Sequence, residues 1–230
     1  MCLCARTLEE TRRARFVLCW VRMGEGRISM DRSTLLLIVS SLRTDFLAAC
    51  TLAASQDWAS PSVIGLMSFA MTTILTGLNI AGYFPGGAAL ALAFIWGGVA
   101  QFVAGWVALK QGNIFTGTVF VGYGSFWISL FLIENASIGL APQSDMLGFW
   151  LVWTLFTFAF TVNAPKHGPA ITVAFVLLLI GIALLDAVSA GMSSIEKVAG
   201  WEVFVTGLVA WYVALAAVTN ENYGRKILPS

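Results

Sequence analysis

The side chains able to do chemistry in this sequence are hydroxyls, amides and aromatic rings, and they recur at helical spacing inside long uncharged stretches. Gly65, Phe69, Thr73, Thr76 and Gly77 fall on one helical face. Two readings fit that stripe. It is either a packing seam, since small residues and threonine are favoured where helices approach closely in apolar surroundings, or a pore wall with Phe69 as a plug; the seam is the commoner use. Ala93, Gly97, Gln101 and Gly105 follow at four-residue intervals. A buried amide such as Gln101 needs partners, and it either braces neighbouring helices, the favoured reading, or faces a wet cavity. In a third stretch Thr116, Tyr123 and Trp127 share a face. A phenol far from any polar interface wants a hydrogen-bond partner, so Tyr123 is a better candidate than most for lining something.

Catalytic patterns are missing. The single histidine, His167, lies in the short connection 163–169 and reads as a solvated loop residue rather than a metal ligand. No glycine-rich phosphate loop precedes a lysine, and no serine has a histidine and an acid in a plausible arrangement. The four cysteines, Cys2, Cys4, Cys19 and Cys50, match neither a zinc pattern nor a redox pair and read as free thiols. The expectation is a non-enzyme with no cofactor and no metal.

The elements that must hold these groups follow from composition. Of 230 residues, 58% are hydrophobic and 11% charged, against about 25% charged in a soluble domain. A soluble enzyme and a disordered chain are excluded, and a net charge of +1 leaves no basic footprint for nucleic acid. Fourteen of the 25 charged side chains lie in residues 1–57, and none occurs between Asp57 and Lys110. Further uncharged runs cover 111–133, 146–165, 168–185 and 203–220. Crossing the hydrocarbon core takes about 20 apolar residues per helix, and the segment Gly82-Tyr83-Phe84-Pro85-Gly86-Gly87 divides the longest run. The spacing predicts six transmembrane helices over about 62–81, 87–109, 114–133, 146–163, 169–186 and 201–219. An all-α multi-pass protein of the cell membrane is therefore expected; the ten-residue alternation of a barrel is missing.

Lys110, Lys166, Arg225, Lys226 and the eight arginines of residues 1–57 fall on one side, and Lys197 alone falls on the other. The positive-inside rule places both termini in the cytoplasm. Glu134, Asp145, Asp186, Glu196 and Glu202 would form an acidic rim on the far side. The organisation expected is a basic cytoplasmic extension (1–57), a six-helix domain (58–220) and a short cytoplasmic tail (221–230). The extension reads either as a disordered or surface-lying cytoplasmic segment or as sequence ahead of a later start at Met23 or Met30, with a seventh span through Phe46–Ala54 as the minority reading.

No lysine or arginine falls at mid-membrane depth. Desolvating a bare carboxylate costs tens of kcal/mol in the idealised Born picture. Protonating a carboxyl group of pKa about 4.3 at pH 7 costs only about 3.7 kcal/mol. If a weak acid passes such a bundle, it should pass neutral or accompanied by a proton.

Several motifs resemble the acetate uptake transporter family, which includes the succinate–acetate permeases. They are Pro61 through Asn79, Gly112-Asn113-Ile114-Phe115, Tyr123-Gly124-Ser125-Phe126-Trp127, and the tail Asn220-Glu221-Asn222-Tyr223-Gly224-Arg225-Lys226-Ile227-Leu228-Pro229. The resemblance runs from about Ser60 to Pro229. It implies a six-helix protomer, a homohexamer with one pore per protomer, and acetate or similar small monocarboxylates, in some members succinate, as substrate. It implies a hydrophobic constriction of Phe69, Tyr123 and a helix-five aliphatic residue somewhere in Phe175–Leu178. Thr72, Thr73 and Gln101 then become polar pore or near-pore groups, with Thr76 on the same wall, and the pore reading of the Phe69 stripe takes precedence. The chain departs from the family at Ser60-Pro61-Ser62-Val63-Ile64-Gly65, where Asn-Pro-Ala-Pro-Leu-Gly is usual, and at Asn79, which stands where the family has a histidine and is the pore-lining, outer-side substrate contact the resemblance implies. Two other functions suit the composition: a pore for small neutral solutes such as urea or glycerol, and a membrane sensor or scaffold acting through residues 1–57.

Overall fold

A computed structural model describes residues 59–135 and 146–229 of the chain. Residues 1–57, with their arginines and four cysteines, lie outside the described residues, as do 136–145. Within the unit Ser60–Ser230 six helices are long and apolar enough to cross a membrane. They are α1 (Ser62–Ile80), α2 (Gly87–Lys110), α3 (Ile114–Glu134), α4 (Met146–Asn163), α5 (Pro169–Ser189) and α6 (Glu196–Asn222). In hydrocarbon every backbone amide must be paired within its own segment, which leaves helices as the form an open chain can take. Gly82, at φ +87°, turns the chain between α1 and α2, and the Asn113 side chain caps α3 by accepting from the Thr116 amide at 3.0 Å.

Five spans end within a few residues of their expected limits. The sixth is longer, beginning at Glu196 and not 201. Charge set the expected start, yet Glu196 and Lys197 lie inside the helix, and Glu202 further along it accepts from Thr206, one turn on, through Oε1 at 2.9 Å. At the other end α6 runs to Asn222, and the tail folds back. The Ile227 and Leu228 amides donate to Asn220 Oδ1 at 2.6 and 2.9 Å. Asn220 Nδ2 donates to the Leu228 carbonyl at 2.9 Å, and Tyr212 donates to the Pro229 carbonyl at 2.9 Å. Gly224, at φ +61°, supplies the reversal. The C-terminal motif is thus a clasp centred on Asn220. Asn220→Ala should cost about 1.5–4.5 kcal/mol, since it removes three bonds and each contributes roughly 0.5–1.5 kcal/mol net. A lower thermal midpoint and faster proteolysis beyond Gly224 would register it.

Glycines bring the helices together in antiparallel pairs. A Cβ on Gly77 would meet the Gly200 carbonyl oxygen at 2.7 Å, and one on Gly207 would meet the Ile74 amide at 2.7 Å, so α1 and α6 touch backbone to backbone. Gly105 and Gly124 do the same between α2 and α3. The α2 stripe does not remain one face. Residues Ala93–Ala100 form π-helical turns, whose wider winding changes the side-chain register. Gly97 faces Thr72 on α1, whereas Gly105 faces Val121 and Gly117 on α3, as positions eight apart lie about 80° from each other around a helix of 3.6 residues per turn.

Candidate functional site

The bundle encloses a cavity with about 440 Å³ of empty space, counting its open side. Five of the six helices line it: α1 through Phe69, Thr73 and Thr76; α3 through Tyr123, Phe126, Trp127 and Leu130; α4 through Trp150; α5 through Leu178, Gly181, Ile182 and Leu185; and α6 through Glu202, Val203 and Thr206. Helix α2 contributes nothing to the wall. Among the described residues no lysine, arginine or histidine lines it.

Aromatic rings from α1, α3 and α4 close one part of the cavity. The Phe69 ring centre lies 5.5 Å from that of Tyr123 and 6.5 Å from that of Trp127. Tyr123 also meets Phe156 at 5.3 Å and Trp153 at 6.2 Å. Phe69 and Tyr123 are 8% and 2% exposed, so the two rings leave little free passage between them. The Tyr123 hydroxyl is 2.8 Å from Thr157 Oγ1. Thr157 spends its own proton on the Trp153 carbonyl at 2.7 Å, so Tyr123 is the donor of the pair. The phenol therefore has the partner its depth demands, and it presents its ring to the cavity.

The helix-one stripe divides by function. Phe69, Thr73 and Thr76 line the cavity. Gly65 packs under the Phe120 ring and Gly77 against α6. Thr73 donates to the Phe69 carbonyl at 2.7 Å and Thr72 to the Ser68 carbonyl at 2.8 Å; a threonine in a helix satisfies its hydroxyl this way. Thr73 thus offers lone pairs and no proton to the cavity. Thr72 is fully buried against Gly97 and lies outside the wall. Gln101, 1% exposed on α2, is outside it as well, and its Oε1 has no hydrogen-bond partner among the described residues. The bracing expected of it is not made through that atom. Asn79 donates to the Phe84 carbonyl at 2.8 Å, which ties the turn after α1 and places the side chain away from the cavity. Of the Thr116, Tyr123 and Trp127 face, Thr116 does not reach the cavity. His167 is exposed and stacks on Phe115, ring centres 3.7 Å apart.

Several lining residues carried no readable signal. Leu178, Ile182 and Leu185 look like any lipid-facing aliphatics in a span whose mean hydropathy is 2.7; only packing separates them from Val173 or Ile180, which are exposed. Asp186, expected on a solvated rim, instead accepts from Thr154 on α4 at 2.6 Å. Glu202, expected beside it, lines the cavity.

A family model described as "GPR1/FUN34/yaaH family" matches residues 44–228. The chain belongs to the GPR1/FUN34/yaaH family. The match begins upstream of Ser60, where the motif resemblance starts. The succinate-acetate/proton symporter SatP of Escherichia coli (strain K12) is 39% identical over 183 residues, covering 74% of this chain and 94% of that protein. Acetate permease A of Emericella nidulans is 26% identical over 198 residues, covering 76% of this chain and 66% of that protein. A solved structure titled as the bacterial acetate channel SatP superposes with a TM-score of 0.71 at 37% identity, covering 75% of this chain and 99% of that one. This GPR1/FUN34/yaaH member is accordingly a multi-pass membrane protein whose relatives are transporters and channels.

Proposed function

We propose that this protein carries acetate and similar small monocarboxylates across the cell membrane, with succinate in range, and that the acid passes neutral or with its proton. The observation that carries the reading is a cavity walled by aromatic and aliphatic side chains, dotted with the hydroxyls of Thr73, Thr76 and Thr206 and the Glu202 carboxyl, and free, among the described residues, of basic side chains. An anion would meet no fixed positive charge there, and burying it bare costs far more than protonating it. The names of the relatives agree in substrate. Phe69 and Tyr123 act as the constriction, with Leu178 on α5 as the aliphatic member, since Leu178 is the residue of Phe175–Leu178 that reaches the same cavity. Thr73 and Thr76 supply polar lone pairs along the wall, while Thr72 and Gln101 act from behind it.

The charge bias supports cytoplasmic termini. Antiparallel pairing of α1 with α6 brings the start of the first span beside the end of the last. A homohexamer with one pore per protomer is consistent with broad apolar outer faces, among them Val152, Leu155 and Phe158 on α4 and Ile95, Val103 and Trp106 on α2.

The test is labelled-acetate uptake into proteoliposomes across external pH steps, corrected for protein-free vesicles. Uptake should rise as pH falls, and unlabelled acetate should compete. No acetate flux at any pH, or urea uptake indifferent to acetate, would replace this reading with that of a neutral-solute pore.

A further inference from the structure

Among the described residues Glu202 is the one carboxyl group that lines the cavity, and Tyr123 is the only other ionisable side chain that does. The carboxyl lies about 9 Å along α6 from Glu196, at 1.5 Å per residue, and it is half-buried. Its Oε1 accepts from Thr206 at 2.9 Å. Its Oε2 is buried and has no hydrogen-bond partner among the described residues. The seat is shaped for it, because a Cβ on Gly181 of α5 would collide with Oε2.

The electrostatic surroundings are sparse. Helix α1, packed along α6, carries no ionisable side chain, and neither does α4. Helix α5 carries Asp186 alone, held by Thr154. Along α6 itself the charged groups are Glu196 and Lys197 at the start and Glu221 at the end, and α3 carries only Glu134, at its last residue, and Tyr123, whose proton is committed to Thr157. No cation faces Glu202 from any of these helices. A second unpartnered group shares the cavity: Trp127 Nε1 is a buried donor with nothing to donate to. An unpaired acceptor and an unpaired donor on one apolar wall complement a carboxylic acid, which brings one O–H and one C=O. Leaving both unmade is costly, and a bound acid group would recover that cost.

We propose that Glu202 is the proton-holding group of this cavity, receiving a proton from water at the α6 end and passing it to an entering carboxylate, so that the acid reaches Phe69 and Tyr123 neutral. The Glu202 Oε2–H bond breaks as the O–H of the acid forms. The single negative charge moves from the substrate to Glu202, and the next proton from water on that side restores it. The proposal rests on the acetate-transport reading and adds the residue that handles the proton.

The experiment is the pH-stepped acetate flux with wild type, Glu202→Gln and Glu202→Asp in proteoliposomes, corrected for protein-free vesicles. Above its pKa, the neutral fraction of an acid in bulk water falls about tenfold per pH unit. Glu202→Gln should follow that slope, losing about a hundredfold between pH 5.5 and 7.5. Wild type should fall by about tenfold or less over the same interval, and Glu202→Asp should restore the shallow profile. Gly181→Ala, which displaces the carboxyl without removing it, should shift the profile toward that of Glu202→Gln. Superimposed profiles for wild type and Glu202→Gln would overturn the role of Glu202 and leave acetate transport intact. Should Glu202→Gln fail to fold, a wild-type slope of tenfold per unit would overturn the role by itself. A wild type without acetate flux at any pH would overturn the transport reading and this proposal with it.

Discussion

Phe69→Ala should raise acetate flux about tenfold, equivalent to about 1.4 kcal/mol off the barrier, and should admit butyrate-sized acids that the wild type excludes. The Phe69 ring sits 5.5 Å from Tyr123 and 6.5 Å from Trp127, so its loss should open the proposed constriction from the α1 side. Deleting a buried aromatic usually costs about 3–5 kcal/mol, but here the ring already borders empty space, so the thermal midpoint should fall less than that figure implies. Tyr123→Ala should open the same point from α3. Tyr123→Phe is the informative control. It keeps the ring and removes only the bond to Thr157, so flux should stay near wild type while stability falls by about 1 kcal/mol. Proteoliposome uptake of an acid series reads all three. If Phe69→Ala and Tyr123→Ala fold and retain the wild-type range of acids, the rings merely pack.

Gly77→Leu and Gly207→Leu should each abolish recovery of monodisperse protein. Ordinary overpacking costs about 1–3 kcal/mol, because neighbouring side chains can turn aside. At these positions the obstacle is the backbone of the facing helix, which cannot rotate away without separating α1 from α6. Gly148→Leu on α4 is the matched control, since a Cβ there meets nothing within 4 Å, and it should behave as wild type. Size-exclusion profiles and thermal midpoints separate the cases. Wild-type behaviour of Gly77→Leu would mean that the α1–α6 contact is looser than described.

What the sequence determined by itself was the number, length and kind of the elements. Uncharged runs bounded by charge and Gly-Pro turns are a one-dimensional signal, and hydrocarbon leaves a chain of that length and polarity no option but helices. The motifs around Phe69 and Tyr123 were legible too, because mid-membrane aromatics and hydroxyls at helical spacing are unusual enough to stand out. The partition of each stripe was not legible. Thr73 and Thr72 are adjacent threonines with the same local hydrogen bond, and only the position of α2 decides that one faces the cavity and the other faces Gly97. On α2 a four-residue interval drifts about 40° per step, and only the packing shows that Gly97 meets α1 while Gly105 meets α3.

Glu202 is the sharpest case. In sequence, a charge at the edge of an apolar run marks where the lipid ends. In three dimensions the same carboxyl is accommodated by a hydroxyl one turn ahead and by the missing side chain of Gly181 on another helix. Local composition sets whether a segment prefers oil to water. Which atoms within it meet lipid, a neighbour or a cavity depends on contacts between residues far apart in the chain, and those exist only once the bundle has closed.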